Sequence, residues 1–131
     1  MEPRYCVCTS GKPFERCCQP LLDKTKFAKT PQQLMRSRFS AFALGGYGDY
    51  LLETWLPSSA IDLCAGELSQ TSLNWQSLEL VEKSQKGDGA VVQFKAYFLD
   101  QNGVLNIHHE ISRFIRASGR WFYVDGEIIS E

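Results

Sequence analysis

The first half of the chain carries apolar residues at the spacing of amphipathic helices. Thr30 is suited to cap a helix whose first position is Pro31, and Gly45-Gly46 is suited to end it. Between these signals, residues recur every three or four positions as on one helix face: Leu34, Met35, Arg38, Phe39 and Phe42. The pattern therefore predicts one long helix here.

Two shorter helical segments are expected next. Asp49 is positioned to begin the first, and Pro57 to end it. The apolar residues of this segment are Tyr50, Leu51, Leu52 and Trp55. Ser59 or Asp62 is positioned to cap the second segment. That segment contains Leu63, Cys64 and Leu68.

After residue 74 the apolar residues alternate with a period of two, which is typical of strands. Strands are predicted over residues 75–82, 90–99, 105–116 and 121–129. The turn sequences between them are Lys86-Gly87-Asp88-Gly89, Asp100-Gln101-Asn102-Gly103 and Ser118-Gly119. Helices followed by hairpin-linked strands indicate an α+β fold, an antiparallel sheet with helices on one face.

The third predicted strand contains polar residues that a pocket would use. Its odd positions, from Leu105 to Ile115, are more apolar than its even positions, so we expect the odd face to lie against the helices. That orientation directs His109 and Arg113 inward. They are then either hydrogen-bonded structural residues or the polar end of a cavity, where His109 exchanges a proton and Arg113 holds an anion.

Arg36 and Arg38 lie two positions apart on the long helix and therefore on different faces. One of them is expected to enter the domain and to reach Glu110 or Asp125, because a buried arginine needs an anionic partner. An interior ion pair between helix and sheet is the favoured interpretation, and ligand binding is the alternative. The pocket candidates are Arg36, Arg38, His109, Glu110, Arg113 and Asp125.

Four of the five cysteines fall within thirteen residues, as the pairs Cys6/Cys8 and Cys17/Cys18. Two thiol pairs joined by an eight-residue loop can supply the sulfur tetrahedron that Zn²⁺ prefers. Phe14 gives this loop one aromatic side chain to pack over the metal. Since all four ligands come from the protein, the site is expected to be structural. Cys64 is expected to be a small buried thiol outside it.

Disulfides explain the cysteine cluster less well. A bond within either pair would close a strained ring, and disulfide scaffolds are typical of small secreted chains. The sequence Met1-Glu2-Pro3-Arg4 lacks the apolar core of a signal peptide, and no run of about 18 apolar residues is present. Reduced cysteines without an export signal indicate the cytoplasm.

The net charge of -1 gives no overall attraction to nucleic acid or to anionic membranes. Residues 1–29 carry a net charge of +3 and the remainder -4. Four thiolates with one Zn²⁺ would add about -2 to the N-terminal part, which leaves little positive charge to bind phosphates. We therefore expect a protein partner, contacted by the loop residues Lys12, Phe14 and Arg16, and no nucleic acid.

The cysteine segment resembles the SEC-C knuckle, the short zinc module also found at the C-terminus of SecA. The matching positions are Cys6, Cys8, Ser10, Gly11, Phe14, Cys17 and Cys18. Val7 and Thr9 stand where proline and glycine are usual. The resemblance implies a bound zinc ion.

Nearly the whole chain resembles the YchJ family of uncharacterised bacterial proteins. Besides the knuckle, the matching segments are Leu34-Met35-Arg36-Ser37-Arg38-Phe39, Ala41-Phe42, Asp49-Tyr50-Leu51, Thr54-Trp55, His109-Glu110, Ser112-Arg113-Phe114 and Gly119-Arg120-Trp121-Phe122-Tyr123-Val124-Asp125-Gly126. The resemblance implies a nuclear transport factor 2-like cone, in which a curved sheet wraps helices around a cavity. We accordingly divide the chain into a knuckle with its connector, residues 1–29, and a cone domain, residues 30–131.

Two classes of function follow. The favoured one is a non-enzymatic adaptor, whose knuckle docks on a protein and whose cone binds a partner or a small ligand. The alternative is a small enzyme with Glu110, Asp125 or His109 as its acid–base group in an apolar cavity. An open apolar pocket that ends at a titratable side chain would favour the enzyme, and a filled cone would favour the adaptor.

Overall fold

The structure, a computed structural model, describes residues 5–61, 63–68 and 74–129. The helices are α1 (Gln19–Leu22), α2 (Pro31–Leu44), α3 (Gly48–Glu53) and α4 (Ala65–Leu68), with short 3₁₀ helices at Phe14–Arg16 and Pro57–Ser59. The strands are β1 (Asn74–Lys86), β2 (Gly89–Leu99), β3 (Leu105–Ala117) and β4 (Arg120–Ile128). The expectations for Asp62 and for residues 1–4 lie outside the described residues. Within the described part of the chain, no helix has the length and apolar character needed to cross a membrane.

Helix α2 begins and ends where the sequence indicated. Thr30 Oγ1 accepts a hydrogen bond from Gln33 N at 3.1 Å, and Pro31 occupies the first turn. Gly45 follows the last turn with a φ of 75°, a conformation that favours glycine. The predicted long helix is therefore confirmed, and its inner face lies in the core.

The four strands form one antiparallel sheet in the order β1-β2-β3-β4, which confirms the α+β fold. Strand β1 is longer than predicted, because it continues to Lys86 and pairs there with Gly89. The side chains from Val81 to Lys86 are all exposed, so no apolar alternation marks this part of the strand. Backbone pairing with β2, without burial of side chains, extends β1 to Lys86.

The expected orientation of β3 is wrong. Phe94 pairs with Glu110 and Ala96 pairs with His108, and residues paired across neighbouring strands point to the same face of a sheet. Because Phe94 and Ala96 are buried on the face that α2 covers, the even positions of β3 face inward. On the odd face, Leu105 is 57% exposed.

The connector contacts the core only in part. Leu21 and Leu22 on α1 are buried, whereas Phe27 is 53% exposed. The Arg120 guanidinium carbon lies 3.6 Å from the centre of the Phe27 ring, so a cation covers this ring from outside. Phe27 therefore does not insert into the core.

Candidate functional site

The four N-terminal cysteines bring their sulfurs together. All four Sγ atoms lie within 4.8 Å of one another, and the Cys8–Cys17 and Cys17–Cys18 distances are 3.6 and 3.9 Å. Sulfurs about 2.3 Å from a tetrahedral zinc are about 3.8 Å apart, so the arrangement fits the ion. Cys6, Cys8 and Cys18 are buried. Cys64, expected to be buried, is exposed, and it is not part of the cluster.

The loop between the cysteine pairs is held by its own backbone and by β1. Cys6 N donates a hydrogen bond to Lys12 O at 2.9 Å. Thr9 has a φ of 61°, which accounts for the glycine usual at this position of the SEC-C pattern. Its Oγ1 accepts from Leu78 N and lies 3.1 Å from Leu78 O, so the threonine hydroxyl binds the free edge of β1.

Helix α2 supports the sulfur cluster from the other side. Arg36 Nη1 donates to Cys8 O at 3.0 Å and lies 4.0 Å from Cys8 Sγ. Ser40 Oγ lies 3.6 Å from Cys6 Sγ. Arg36, expected among the pocket residues, therefore holds the knuckle.

The four clustered thiols resist ionising together in the absence of a cation. Burial raises the pKa of Cys17 to about 11, and hydrogen bonding with Cys6 and Cys8 strongly raises the pKa of Cys18. Hydrogen bonds from Cys18 and Cys6 lower the pKa of Cys8, so protons are shared within the cluster. A divalent cation would displace these protons and allow all four thiols to ionise. With four cysteine ligands, its contribution would be to the stability of the fold.

A pocket of about 360 Å³ lies between α2 and the inner face of the sheet. Its walls are mainly apolar and are formed by Met35, Phe42, Trp55, Trp75, Phe94, Ala96 and Phe98. Its polar groups are Arg38, His108, Glu110 and Tyr123. The volume falls in the range of about 300–1,000 Å³ that small-molecule sites occupy. The cone is thus open, and its apolar pocket ends at titratable side chains.

Glu110 is the centre of the polar end of the pocket. Its Oε1 lies 2.9 Å from His108 Nε2, and its Oε2 accepts hydrogen bonds from Tyr123 OH at 3.0 Å and from Ser112 Oγ at 2.5 Å. Burial alone would raise the pKa of Glu110, but these hydrogen bonds outweigh it and hold the pKa below its usual value. Glu110 is therefore a carboxylate anion at neutral pH.

Gly126 on β4 makes room for this carboxylate. A Cβ atom at residue 126 would lie 2.2 Å from Glu110 Oε2 and 2.8 Å from Tyr123 OH. Both distances are too short for non-bonded atoms, so only glycine fits here without displacing the cluster. The cluster is therefore built by β3 and β4 together.

Arg38 is 2% exposed and lies beside the same pocket. Its guanidinium carbon is 4.6 Å from the centre of the Trp55 ring and 4.7 Å from that of Tyr123. Nη1 donates to Leu51 O at 2.8 Å and to Thr54 Oγ1 at 2.7 Å. Burial lowers the pKa of Arg38 to about 10, which leaves it cationic at neutral pH.

The expected direct pair between Arg38 and a carboxylate is replaced by an indirect one. Tyr123 packs its ring against Arg38 and donates its hydroxyl to Glu110. Among the described residues, Arg38 satisfies its hydrogen bonds with a carbonyl and a hydroxyl group. The structure thus brings Arg38 and Glu110 to one pocket with a tyrosine between them.

The three remaining pocket candidates lie away from the pocket. His109 Nε2 is 2.8 Å from Gln93 Nε2, on the outer face of the sheet. Arg113 and Asp125 form an ion pair on that face, and both side chains are exposed. Their expected position in the cavity is wrong because the register of β3 turns the odd residues outward.

Besides Tyr123, the sequence reasoning missed one further polar residue of the pocket, His108. Its ring lies 6.0 Å from the ring of Phe94 and 6.4 Å from that of Trp75. Ala96, the partner of His108 in the sheet, lies on the buried face of β2, so the inward position of His108 follows once the register is known. A tight turn over residues 100–103 would have placed His109 opposite Phe94, but the observed loop is one residue longer and places His108 opposite Ala96.

The loop of the knuckle exposes two of the three residues expected to contact a partner. Lys12 and Arg16 are exposed, whereas Phe14 is half-buried against the core. A cleft of about 610 Å³ lies beside them and is also lined by Lys26 and Lys29. The surface next to the sulfur cluster is therefore open and rich in lysine and arginine.

Comparison with known proteins finds a family model and relatives that match this chain. A family model described as YchJ, middle NTF2-like domain, matches residues 30–126. The UPF0225 protein SG1365 of Sodalis glossinidius is 40% identical over 95% of this chain and 83% of its own length. The UPF0225 protein plu2503 of Photorhabdus laumondii is 38% identical over 92% of this chain and 79% of its own length.

A solved structure has the same fold. The solution structure of RPA3114, a SEC-C motif containing protein from Rhodopseudomonas palustris, matches with a TM-score of 0.87 and 37% identity. The match covers 95% of this chain and 98% of that protein. The cysteine segment and the cone therefore occur together in a relative.

Proposed function

Because this chain belongs to the YchJ family, we propose that it is a zinc-binding protein of the cytoplasm whose cone binds a small, largely apolar ligand and whose knuckle docks on a protein partner. The observation that carries the proposal is the cone pocket, which is open, about 360 Å³ in volume and lined mainly by aromatic side chains. The sulfur cluster supports the cone from outside through Arg36 on α2. Metal and pocket thus have separate roles, the first in stability and the second in binding.

The lining of the pocket defines the class of ligand. Aromatic and aliphatic walls favour a flat apolar body, and the polar groups occupy one end. The carboxylate of Glu110 and the guanidinium of Arg38 have opposite charges, so the pocket carries little net charge when His108 is neutral. A neutral molecule with one polar end is therefore the favoured ligand.

Replacing Ala96 with leucine is expected to weaken the binding of the neutral apolar dye Nile red by about tenfold, because the larger side chain would fill part of the pocket. Ala96 is buried and lines the pocket wall. Fluorescence titration of wild type and variant measures the effect. Ala117→Leu, at the exposed end of β3, is the control and should bind the dye like wild type. Equal affinity of the Ala96 variant and wild type would place the dye elsewhere and contradict the proposal.

The docking role is supported by the surface beside the sulfur cluster. Lys12 and Arg16 are exposed at an open cleft, and a metal-bound loop is rigid enough to present them in a fixed arrangement. Acidic residues of a protein partner would complement Lys12 and Arg16. A nucleic-acid duplex would bind less well, because the net charge near the metal is small. The partner is therefore expected to be protein.

Reversing both charges, as Lys12→Glu with Arg16→Glu, is expected to abolish capture of that partner from native cytosol, as measured by affinity purification and mass spectrometry. Lys83→Glu with Lys86→Glu, two exposed positions on β1, is the matched control and should retain it. Tight binding of DNA or RNA, with a steep loss of affinity as salt rises, would instead indicate a nucleic-acid partner.

An open apolar pocket that ends at titratable side chains is the arrangement expected for the second candidate, a small acid–base enzyme. The pocket ends at a histidine hydrogen-bonded to an ionised carboxylate, a combination that is suited to proton transfer. The pocket alone does not define a reaction, since both a binding protein and an enzyme need one.

A further inference from the structure

The hydrogen bonds around Glu110 fix the tautomer of His108. Ser112 and Tyr123 donate their hydroxyl hydrogens to Oε2, which leaves Oε1 to accept from His108 Nε2. An ionised carboxylate cannot donate, so the hydrogen in this contact belongs to His108. A neutral His108 then carries its lone pair on Nδ1.

Nδ1 of His108 is available to a molecule in the pocket. The hydrogen bond of His108 is made by Nε2, and Nδ1 has no hydrogen-bond partner within the described residues. The side chain is 31% exposed and lines the pocket, flanked by the rings of Phe94 and Trp75. Nδ1 of His108 is therefore an acceptor inside the apolar pocket, and the Glu110 carboxylate bound to Nε2 stabilises the protonated ring.

We propose that His108, positioned by Glu110, is a proton acceptor that makes the pocket selective for apolar molecules carrying a weakly acidic hydroxyl group, such as phenols and enols. This inference rests on the proposed binding of an apolar ligand in the cone. On binding, the ligand O–H bond breaks and an N–H bond forms at Nδ1. The electron pair of the broken bond stays on the ligand oxygen, so the ligand is held as an anion beside an imidazolium.

The charges of the pocket support this transfer. Glu110, Tyr123 and Arg38 are the titratable and charged groups that line the pocket with His108. After transfer, the ligand anion and Glu110 balance the imidazolium and Arg38, so the bound state is neutral overall. Proton transfer conserves the total charge, so without Arg38 the pocket would carry a net negative charge both before and after it, and that charge would oppose the formation of a second anion among the aromatic rings. The buried arginine thus has a role in binding that its hydrogen bonds to Leu51 and Thr54 do not reveal.

A pair of probes tests the inference. 4-Nitrophenol and its methyl ether, 4-nitroanisole, have similar size, but only the phenol has a proton to give, and its absorption changes when it ionises. In a buffer acidic enough to keep the free phenol protonated, the bound phenol is expected to show the spectrum of its anion. It should also bind about tenfold more tightly than the ether, as expected for a hydrogen bond to a charged group. Equilibrium dialysis gives the affinities.

Variants of the two residues separate their roles. With His108→Phe, both probes should bind with similar affinity and the phenol should stay protonated. With Glu110→Gln, the ionised fraction of the bound phenol should fall, because the group that supports the imidazolium is then neutral. His109→Gln, on the outer face of the sheet, is the matched control and should behave like wild type. Circular dichroism of each variant establishes that it is folded.

The outcomes distinguish the inference from the proposal on which it rests. If the ether and the phenol bind equally and the phenol stays protonated, the proton-accepting role of His108 is wrong and the apolar pocket remains a binding site. If neither probe binds, the proposed ligand site fails and the inference fails with it. An anionic spectrum that persists in His108→Phe would also overturn the assignment to His108.

Discussion

In the Arg38→Ala variant the free energy of unfolding is expected to fall by about 3–5 kcal/mol. The guanidinium lies between the rings of Trp55 and Tyr123, so truncation leaves a cavity between two aromatic side chains. It also leaves Leu51 O without the donor that binds it at 2.8 Å. Glu110 in addition loses a nearby cation. Denaturation by urea at a fixed zinc concentration measures the loss.

A second substitution separates the packing of Arg38 from its charge. Arg38→Met retains most of the side-chain volume and removes the charge, together with the cost of burying it. We expect it to lose clearly less stability than Arg38→Ala, because the methionine still fills the space between the rings. If both variants unfold like wild type, Arg38 contributes neither packing nor charge to the fold, and the described contacts are incidental.

The fold and the clustering of the four cysteines could be predicted from local signals in the sequence. Thr30, Pro31 and Gly45 each act within one helix turn, so their effect on α2 could be inferred without tertiary information. The cysteines are similarly close in sequence, and a loop of eight residues is enough to bring the sulfurs of Cys8 and Cys17 to 3.6 Å. Family resemblance added the curved cone, which no local pattern specifies.

The pocket could be predicted only in part, because its residues depend on register. Glu110 was identified as a candidate, yet the neighbouring residue chosen with it was His109, on the outer face. The choice assumed that the more apolar face of β3 is buried, but Leu105 and other apolar residues of that face are exposed. Pairing with β2 decides the orientation instead, and a shift of one residue reverses it.

Helix α2 contacts both the cysteine loop and the apolar pocket. Arg36 and Arg38, two residues apart, point to different sides of the helix. Arg36 binds the backbone of Cys8 in the knuckle, and Arg38 lines the pocket. The wall of the pocket that α2 provides is therefore attached directly to the loop that carries the sulfur cluster.

Replacing Cys17 with serine is expected to reduce bound zinc from one ion per chain to a small fraction of that. Serine is a poor zinc ligand compared with a thiolate, and structural zinc sites contribute about 10–16 kcal/mol in peptides that fold around the ion. Elemental analysis of protein purified under reducing conditions measures the metal. Cys64→Ser, an exposed cysteine outside the cluster, is the control and should retain a full equivalent. Wild-type protein without bound metal would contradict the assignment.

The same variant should loosen residues 1–20 while the cone stays folded. The cone has its own buried core, in which Leu34, Leu51 and Phe114 are almost fully inaccessible to water. The knuckle depends on the ion, because few of its side chains other than the cysteines are buried. Hydrogen exchange should therefore become faster at Cys6 N, whose bond to Lys12 O closes the loop, and remain slow in the strands of the sheet. Loss of protection in β2 and β3 as well would mean that the metal stabilises the whole chain and that the knuckle is part of one folding unit with the cone.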